Sequence, residues 1–333
     1  MRPALNTAAA TVSTLWRTSP PMTAVGLLML GALAASLAGI WLDPTMITGA
    51  PAWLKPAKFA ASIAIYSLTL AWVFAYLPDW PRTRRIVGWT TAVVLVLELI
   101  IIDVQAWRGT SSHFNVGTLL DGVLFTVMGA AIVVQTLTSV AVAVALWRQP
   151  FVDRALGWAL RFGMTMTIVG ALSGGLMTRP TAAQLDDARV TQRLATAGAH
   201  TVGAPDGGPG LPGTGWSRQH GDLRVPHFVG LHALQALPLI AVLLRRRIAA
   251  DRTRVRLTTI AASSYAALFA ILLWQALRGQ SVVAPDVTTL GAMAMWAVAT
   301  GAAAWAATSR LPRASAATHA VSAHAQADSG FHV

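Results

Sequence analysis

The chain has 333 residues, of which 55% are hydrophobic and only 11% are charged, so it is too apolar for a soluble protein of this length. It contains no cysteine, which excludes disulfides, thiolate nucleophiles, cysteine-ligated zinc and iron–sulfur clusters. The formal net charge is +12, but no basic stripe with interleaved aromatic residues is present. We therefore expect the basic residues to face anionic lipid headgroups and expect no nucleic-acid partner.

Long apolar stretches recur along the chain, each about 20 residues or more, which is enough to cross a hydrocarbon core about 30 Å thick. The sequence predicts an all-α membrane protein with eight transmembrane helices at 21–42, 57–77, 86–107, 119–147, 156–178, 227–244, 257–277 and 286–308. The segment that precedes the first apolar stretch, and the stretch itself, are both longer than in a usual signal peptide. We therefore expect an uncleaved helix. In the sixth helix, Pro238 is expected to produce a kink.

The arginines are distributed unevenly between the two sides of the predicted membrane. Both terminal segments and the connections after helices 2, 4 and 6 are rich in arginine. The short loops and helix ends on the opposite side carry only Lys55, Lys58, Arg108 and Arg278. This is the positive-inside pattern, which predicts a bacterial cytoplasmic membrane protein with both termini in the cytoplasm.

Two short strings recur at nearly one spacing. Residues 105–109 (QAWRG) end the third helix, and residues 275–279 (QALRG) end the seventh, 170 residues later. Residues 56–59 (PAKF) open the second helix, and residues 226–228 (PHF) open the sixth. Unless these matches are chance similarities, they predict two parallel four-helix repeats.

The predicted organisation follows from these repeats. We expect a cytoplasmic N-terminal segment, a first repeat, a second repeat containing an insertion on the outer side, and a disordered cytoplasmic tail. Their bounds are 1–20, 21–150, 151–313 with the insertion at 179–226, and 314–333. The middle of the insertion is rich in Gly and Pro and has no helix or strand period. We expect the insertion to cap the outer ends of the helices.

Ionisable and polar side chains gather at the predicted outer ends of the helices, and charge within a bilayer is costly unless it is paired or solvated. Glu98 is the only glutamate, and Lys55 and Lys58 are the only lysines. The predicted catalytic groups are Glu98, Asp103 and His232. The predicted ligand-binding residues are Lys55, Lys58, Arg108, Asn115, Asp121, Arg224 and Gln235. A metal such as zinc would be held by His113, Asp222 and His227.

Each of these assignments has a structural alternative. The acidic residues can be ion-pair partners of neighbouring cations, and His113 and His227 can be interfacial histidines that face lipid headgroups. His227 and His232 are five residues apart, which places them on different sides of a regular helix. A shared metal would therefore need ligands from other segments.

Three motifs carry a resemblance: KPxKF at 55–59, RGxxSHFN at 108–115 and GDLRxPHFxGLH at 221–232. They resemble motifs of a family of uncharacterised bacterial multi-pass integral membrane proteins, and the resemblance covers helices 2 to 6. It implies no assigned activity. The two four-helix repeats are also similar to the architecture of heme A synthases, which use histidine pairs from several helices. Helices 2, 3, 5, 7 and 8 of this chain contain no histidine, so no heme ligands are carried over.

The sequence thus predicts an outward-facing site that binds or transforms a small polar or lipid-borne ligand, in one version with the help of a metal. A heme- or quinone-binding redox protein, a transporter or sensor, and an assembly factor remain alternatives. A phosphate-binding loop and a nucleophile elbow are both absent from the sequence. The cofactor (zinc, heme or none), the oligomeric state, and the choice between enzyme and binding protein stay open.

Overall fold

The computed structural model describes residues 2–309, with side chains from residue 10 onward, so the tail expected at 314–333 lies outside the described residues. Within these limits the elements are α1 Arg2–Thr18, α2 Pro20–Leu42, β1 Met46–Ile47, β2 Ala50–Pro51, α3 Leu54–Phe74, α4 Pro81–Trp107, α5 Leu119–Arg148, α6 Arg154–Gly174, α7 Ala182–Thr191, β3 Thr201–Val202, β4 Gly221–Asp222, α8 Arg224–Leu231, α9 Ala233–Arg247, α10 Asp251–Leu277 and α11 Val287–Ser309. A 3-10 turn, Gly175–Thr178, extends α6. The antiparallel ribbons β1–β2 and β3–β4 both lie in connections.

Among residues 2–309, seven helices are long and apolar enough to cross a membrane, namely α2, α3, α4, α5, α6, α10 and α11. The pair α8 and α9 passes the same test only when its two helices are taken together, and it is bent by 47°. The prediction of an all-α, multi-pass membrane protein is confirmed, with seven crossings or eight if the bent pair is one span.

The bend in the sixth predicted span is not at Pro238. Pro238 lies inside α9, whereas the helix breaks at His232, between Leu231 and Ala233. The proline expected to kink this span is therefore not the site of its 47° bend. The break comes one turn and a half before the proline, where the backbone also passes very close to α6.

Hydroxyl groups from neighbouring helices bind the backbone at this break. Tyr265 Oη donates to the carbonyl of Val229 at 2.5 Å, and Thr167 Oγ1 lies 3.3 Å from the carbonyl of Leu231. A break in an apolar helix leaves carbonyls that water cannot reach, so donors from neighbouring helices make such a break tolerable. The sequence of α8 and α9 alone does not contain these donors.

The close approach of α6 and α8 depends on two glycines. A Cβ atom on Gly170 would stand 2.5 Å from the carbonyl carbon of Gly230, and one on Gly230 would stand 2.4 Å from Gly170 Cα. The two backbones therefore touch without intervening side chains, as in the small-residue contacts of membrane helices.

The helices pack in the same order in the two halves of the bundle. In residues 20–148, α2 packs on α3 and α4 packs on α5. In residues 154–309, α6 packs on α8 and α9, and α10 packs on α11. The halves meet through α5 and α6. Connections 43–53, 108–118, 175–223 and 278–286 lie at one end, which we call the loop end; the opposite end is the arginine-rich end.

The ends of α4 and α10 are built alike. Gly109 and Gly279 follow these helices with φ angles of 68° and 73°. The next amide donates back to the carbonyl of Gln105 at 3.0 Å in one case and of Gln275 at 3.2 Å in the other. Both are the glycine caps that end a helix with a left-handed residue. They place the two connections at corresponding positions of the loop end.

Candidate functional site

Three ionisable side chains from three segments meet at the loop end of the first half. Lys55 lies in the first turn of α3, Glu98 lies in α4, and His113 lies in the 108–118 connection. Lys55 Nζ is 2.9 Å from His113 Nδ1, and His113 Nε2 is 3.7 Å from Glu98 Oε1. We call these three residues the Lys–His–Glu cluster. It joins two predicted site residues to a residue predicted as a metal ligand.

Glu98 is the deepest member of this cluster. It lies about nine residues before the end of α4, so roughly 13 Å along the helix axis. The residue is only 2% exposed, and its Oε2 atom has no hydrogen-bond partner among residues 10–309. A buried carboxyl oxygen without a donor is energetically costly, so Glu98 is an unusual residue to keep for structural reasons alone.

The hydrogen bonds of His113 fit the tautomer that carries its proton on Nε2. An ammonium group has only N–H donors, so Lys55 donates to His113 Nδ1 and the ring proton lies on Nε2. The Ser112 hydroxyl is 3.1 Å from the same Nδ1 atom. The Nε2–H group therefore points towards Glu98, at a distance longer than a hydrogen bond.

His113 is held in its neutral form. Burial lowers the pKa of His113 well below its usual value, and the positive charge of Lys55 lowers it further. The ring also packs against Phe59, with 5.6 Å between ring centroids. A neutral, oriented imidazole beside a buried carboxyl group is an arrangement that can take up or release a proton.

A second cluster lies at the start of α8. Arg224 Nε donates to Asp222 Oδ1 at 2.9 Å, and Arg224 Nη2 donates to Asp222 Oδ2 at 2.6 Å, which makes a bidentate ion pair. Asp222 is 2% exposed and also accepts the backbone N–H of Ser217 at 2.8 Å. Asp222 thereby fixes the Arg224 guanidinium and has little capacity left for another ligand.

The insertion reaches over both halves at the loop end. Lys58 of α3 donates to the carbonyl of Thr214 at 2.9 Å, and Arg224 Nη2 donates to the carbonyl of Gly215 at 2.6 Å. On the side of the second half, Ser281 donates to the carbonyl of Ser217 at 2.9 Å. The Gly- and Pro-rich middle of the insertion is thus bound to residues from both halves, as a cap requires.

A histidine–aspartate pair holds the cap together. Asp206 accepts hydrogen bonds from the ring Nδ1 of His200 at 2.7 Å and from the backbone of Thr201 at 2.9 Å. Burial would raise the pKa of Asp206, but the hydrogen bonds and charge of His200 outweigh this effect and lower it. Burial lowers the pKa of His200 more than Asp206 raises it. His200 also packs on Phe114, which connects the cap to the 108–118 connection.

Two of the predicted ligand-binding residues pair with each other across the connection between α4 and α5. Asp121 Oδ1 accepts from Arg108 Nη1 at 2.7 Å and from Gln105 Nε2 at 2.9 Å. Its Oδ2 accepts from the Thr118 hydroxyl at 2.6 Å. Arg108 and Asp121 are therefore used as a structural ion pair, the alternative that the sequence left open.

Asn115 also has a structural position. Its Nδ2 donates to the Thr110 hydroxyl at 3.0 Å, and its Oδ1 accepts from the Gly117 amide at 3.1 Å. It forms an isolated β-bridge with Thr196 of the insertion. These contacts shape the 108–118 connection and leave Asn115 few free polar groups for a ligand.

Three other predicted residues form no hydrogen bond or ion pair with the two clusters in the described part of the chain. Asp103 Oδ1 and Gln235 Oε1 are buried without a hydrogen-bond partner among residues 10–309. The His232 ring lies at the break between α8 and α9, 4.1 Å from the ring centroid of Phe228. The expected convergence of all site residues is therefore only partial.

The predicted metal ligands do not assemble. Asp222 is bound to Arg224, His227 Nδ1 donates to the carbonyl of Gly170 at 2.7 Å, and His113 belongs to the Lys–His–Glu cluster. Across the described residues, no group of three or more His, Asp or Glu side chains is placed to hold a metal. The set His113, Asp222 and His227 is thus not supported, because each side chain is oriented by another partner.

Two cavities lie away from these clusters. One of about 650 Å³ lies at the loop end of α5 and is lined by Leu119, Val123 and Arg193 among others. Another of about 320 Å³ lies at the arginine-rich end between α6, α9 and the connection that follows α3, lined by Tyr76, Asp153 and Arg245 among others. Any function of the Lys–His–Glu cluster rests on its side-chain geometry.

The sequence predicted a cap from the insertion but did not indicate the residues that hold it in place. His200 and Asp206 were not singled out, because a histidine and an aspartate six residues apart in a Gly-rich segment are a weak signal. The backbone carbonyls of Thr214 and Gly215 carry no signal at all. Only the fold reveals that they meet Lys58 and Arg224.

Comparisons of this chain with family models, with curated proteins and with solved structures find no match. The resemblance carried by the three sequence motifs is therefore still a prediction. The long apolar helices identify the chain as a helical, multi-pass membrane protein.

Proposed function

We propose that the loop end of the bundle binds a small polar or lipid-borne ligand and exchanges a proton with it. The observation that carries the proposal is the Lys–His–Glu cluster, in which Glu98 is deeply buried and His113 is oriented towards it. The carboxyl group of Glu98 would give or take the proton. Lys55 holds the ring nitrogen that faces away from Glu98, so it acts as a positioning residue for His113.

The geometry supports a proton step in a site that water enters poorly. His113 and Glu98 are separated by 3.7 Å, so a modest movement or one ligand atom would connect them. The insertion lies over the loop end and would restrict access of water. The same arrangement serves a binding protein and an enzyme, and the choice depends on what the ligand does after the proton moves.

We also propose that the loop end faces away from the cytoplasm of a bacterial inner membrane. The support is the concentration of arginine at the opposite end of the helices, which fits the positive-inside rule. The chain has no native cysteine, so single cysteines can report its orientation. A membrane-impermeant maleimide should label intact cells carrying Gln219→Cys and should label Ala250→Cys only after lysis. The reverse pattern would invert the orientation.

We infer that the two halves are repeats with parallel orientation. Equivalent helix pairs pack in the same order, and α4 and α10 end in matching glycine caps at 170-residue spacing. In this alignment, Leu268 and Leu273 occupy the positions that correspond to Glu98 and Asp103. The proposed chemistry would then belong to the first half, with the insertion of the second half as its cap.

The test of the proton step uses the full-length protein purified in native lipid nanodiscs. Native mass spectrometry would record any ligand that co-purifies, as a function of pH, for the wild type and for Glu98→Gln. We expect the wild type to carry a ligand whose occupancy depends on pH and Glu98→Gln to lose that dependence, because the amide cannot titrate.

The controls separate function from folding. Asp186→Asn removes a carboxylate from an exposed pair in α7 and should leave ligand occupancy unchanged. Thermal unfolding of each variant shows whether it is folded. If folded Glu98→Gln keeps the wild-type occupancy and the wild-type pH dependence, Glu98 is a structural residue and the proposed function is wrong.

A transporter is the second candidate, because one observation favours it. The sixth span is discontinuous, with a 47° bend at His232, and broken helices line the substrate sites of many transporters. The cavity at the arginine-rich end lies beside the same broken span. Val242 lines this cavity. If the halves move during transport, we expect the maleimide labelling of Val242→Cys to change when ligand is added. Ligand-independent labelling contradicts transport.

A further inference from the structure

Three cations lie side by side at the loop end. Lys55 and Lys58 are three residues apart on α3, so their side chains leave neighbouring positions of one helix face. Arg224 approaches them from α8: its Nη1 and the Lys58 Nζ both lie 3.9 Å from the point where a Cβ on Gly215 would stand. We call Lys55, Lys58 and Arg224 the cation cluster. Like charges so close together repel each other.

The cations also lie where helix dipoles disfavour positive charge. Lys55 and Lys58 belong to the start of α3, and Arg224 is the first residue of α8, and neither first turn contains an acidic residue. The N-terminus of a helix carries a partial positive charge, so it destabilises a cation there and stabilises an anion. The helix dipoles therefore oppose the placement of these cations and favour an anion beside them.

The cluster has more hydrogen-bond donors than acceptors. Lys58 donates to the neutral carbonyl of Thr214, and Lys55 meets the neutral ring of His113. Asp222 occupies Nε and Nη2 of Arg224, while Arg224 Nη1 has no hydrogen bond in the described residues. Each ammonium has three N–H groups, so several charged donors are left for a ligand.

We propose that the cation cluster binds a phosphoryl group, and this inference rests on the proposed function because the group would be the anionic part of the same ligand. Lys55, Lys58 and Arg224 Nη1 each donate to a phosphoryl oxygen. Asp222 holds the guanidinium in place for this contact. The phosphoryl group joins or replaces the carbonyls of Thr214 and Gly215 as an acceptor.

A phosphoryl group fits this site better than a carboxylate. Three cationic groups from two helices provide donors from several directions, which suits a tetrahedral group with three charged oxygens, whereas a carboxylate has two oxygens in one plane. The unpartnered Oε2 of Glu98 lies in the neighbouring Lys–His–Glu cluster. A protonated Glu98 can donate to a phosphoryl oxygen, while an ionised one repels it, so binding is coupled to a proton.

The source of the phosphoryl group is either free phosphate or a phospholipid headgroup, and two experiments on the full-length protein separate them. Inorganic phosphate is titrated calorimetrically into protein in a neutral detergent, at constant ionic strength. In parallel, native mass spectrometry records phosphatidic acid bound to protein from phosphatidylcholine nanodiscs that contain a small fraction of it. Both use the wild type, Lys58→Met, Lys58→Arg and Arg218→Met.

Arg218→Met is the matched control, because Arg218 is an exposed cation of the same insertion and its loss changes the net charge equally. We expect Lys58→Met to weaken binding by about tenfold or more, Lys58→Arg to retain most of it, and Arg218→Met to leave it unchanged. Binding of inorganic phosphate supports a free anion as ligand. Binding of phosphatidic acid without binding of phosphate supports a lipid headgroup.

The proposal is overturned if the wild type binds neither probe, or if Lys58→Met and Arg218→Met weaken binding equally. Glu98→Gln distinguishes this failure from failure of the proposed function. If phosphate binds to the wild type and to Glu98→Gln with the same pH dependence, the anion site stands and the proton step fails. If a neutral co-purified ligand responds to Glu98→Gln while neither phosphate probe binds, the proton step stands and the phosphoryl assignment fails.

Discussion

The two halves of the bundle share a framework and differ in what they bury. Both pair their helices in the same order and end α4 and α10 with glycine caps. The first half buries Glu98 and places two lysines at the start of a continuous α3. The second half has leucine 170 residues after Glu98 and contains the broken span of α8 and α9. The two halves thus share the form of their helix ends and differ in the ionisable groups that they bury.

The contrast also extends to the contacts between helices. In the first half, a Cβ on Gly26 would meet the side chain of Leu68 at 2.6 Å, whereas in the second half Gly170 meets the backbone of Gly230 at 2.5 Å. A side chain can move and a backbone in a packed helix cannot. The second half should therefore tolerate changes at its helix crossing less well than the first.

The largest expected effect tests that crossing. Gly170→Ala should destabilise the protein by about 3 kcal/mol, because the new methyl group overlaps the backbone of Gly230. Gly26→Ala should cost less, since Leu68 can change rotamer. Gly31→Ala, with nothing within 4 Å of its Cβ position, is the control. Thermal unfolding in detergent gives the order, and equal losses for Gly170→Ala and Gly26→Ala would remove the contrast between the halves.

The next prediction compares the two ion pairs at the ends of the connections 108–118 and 278–286. Arg108–Asp121 in the first half has side-chain exposures of 29% and 6%, and Arg278–Asp286 in the second half has exposures of 34% and 38%. Asp121→Asn should cost about 2 kcal/mol, because it leaves the Arg108 charge beside a neutral amide. Asp286→Asn should cost little, since solvent screens that pair. Chemical denaturation would show no difference if burial were unimportant here.

The cap should loosen in acid. Because burial lowers the pKa of His200 below its usual value of 6.5, the released cap binds a proton more readily than the closed cap. The contribution of neutral His200 to the stability of the closed cap is thus complete above pH 6.5. It is lost as the pH falls below this value. Asp206, whose pKa is also lowered, stays ionised through this range. The charges facing His200 are Asp206, Arg224 and Lys55.

Hydrogen exchange of residues 200–217 between pH 7.5 and pH 5.5 measures this loosening. Exchange, corrected for its intrinsic pH dependence, should become faster at the lower pH in the wild type. His200→Gln should show the same exchange at both values, because the amide does not titrate. Persistent acid loosening in this variant would assign the effect to another group, such as His113.

The smallest effect concerns the broken helix of the second half. Tyr265→Phe removes the hydroxyl that donates to the carbonyl of Val229. The expected loss is about 0.6 kcal/mol, the usual value for a hydrogen bond between membrane helices. Tyr66→Phe in the first half, where Tyr66 accepts from Gln135 at 3.1 Å beside an unbroken helix, provides the comparison. Thermal unfolding of both variants would show whether the break depends on its hydroxyl donors.

Much of the fold was predictable because it depends on local composition. Runs of apolar residues longer than a bilayer is thick gave the positions of the helices, and the repeated QAWRG and QALRG strings predicted helix ends that the structure confirms as matching caps. The bend was not predictable in the same way. It lies at His232 rather than at Pro238, because the contact between Gly170 and Gly230 and the donors from other helices stabilise the break there.

The site was predictable in its residue types and only partly in its grouping. Lysine and glutamate were singled out because they are rare in this chain, and Lys55 and Glu98 do meet through His113. Sequence could not decide that Arg108 and Asp121 pair with each other, or that Asp222 fixes Arg224. Such choices depend on distances between segments far apart in the chain.

The sequence by itself determined that this is a helical membrane protein with its few ionisable interior residues near one end, because apolar length and the scarcity of charge are properties of the chain alone. Only the tertiary structure decided which of those residues share a site. Partners such as Lys58 and Thr214, 156 residues apart, become neighbours through packing of the helices and closure of the insertion. No local pattern encodes that distance.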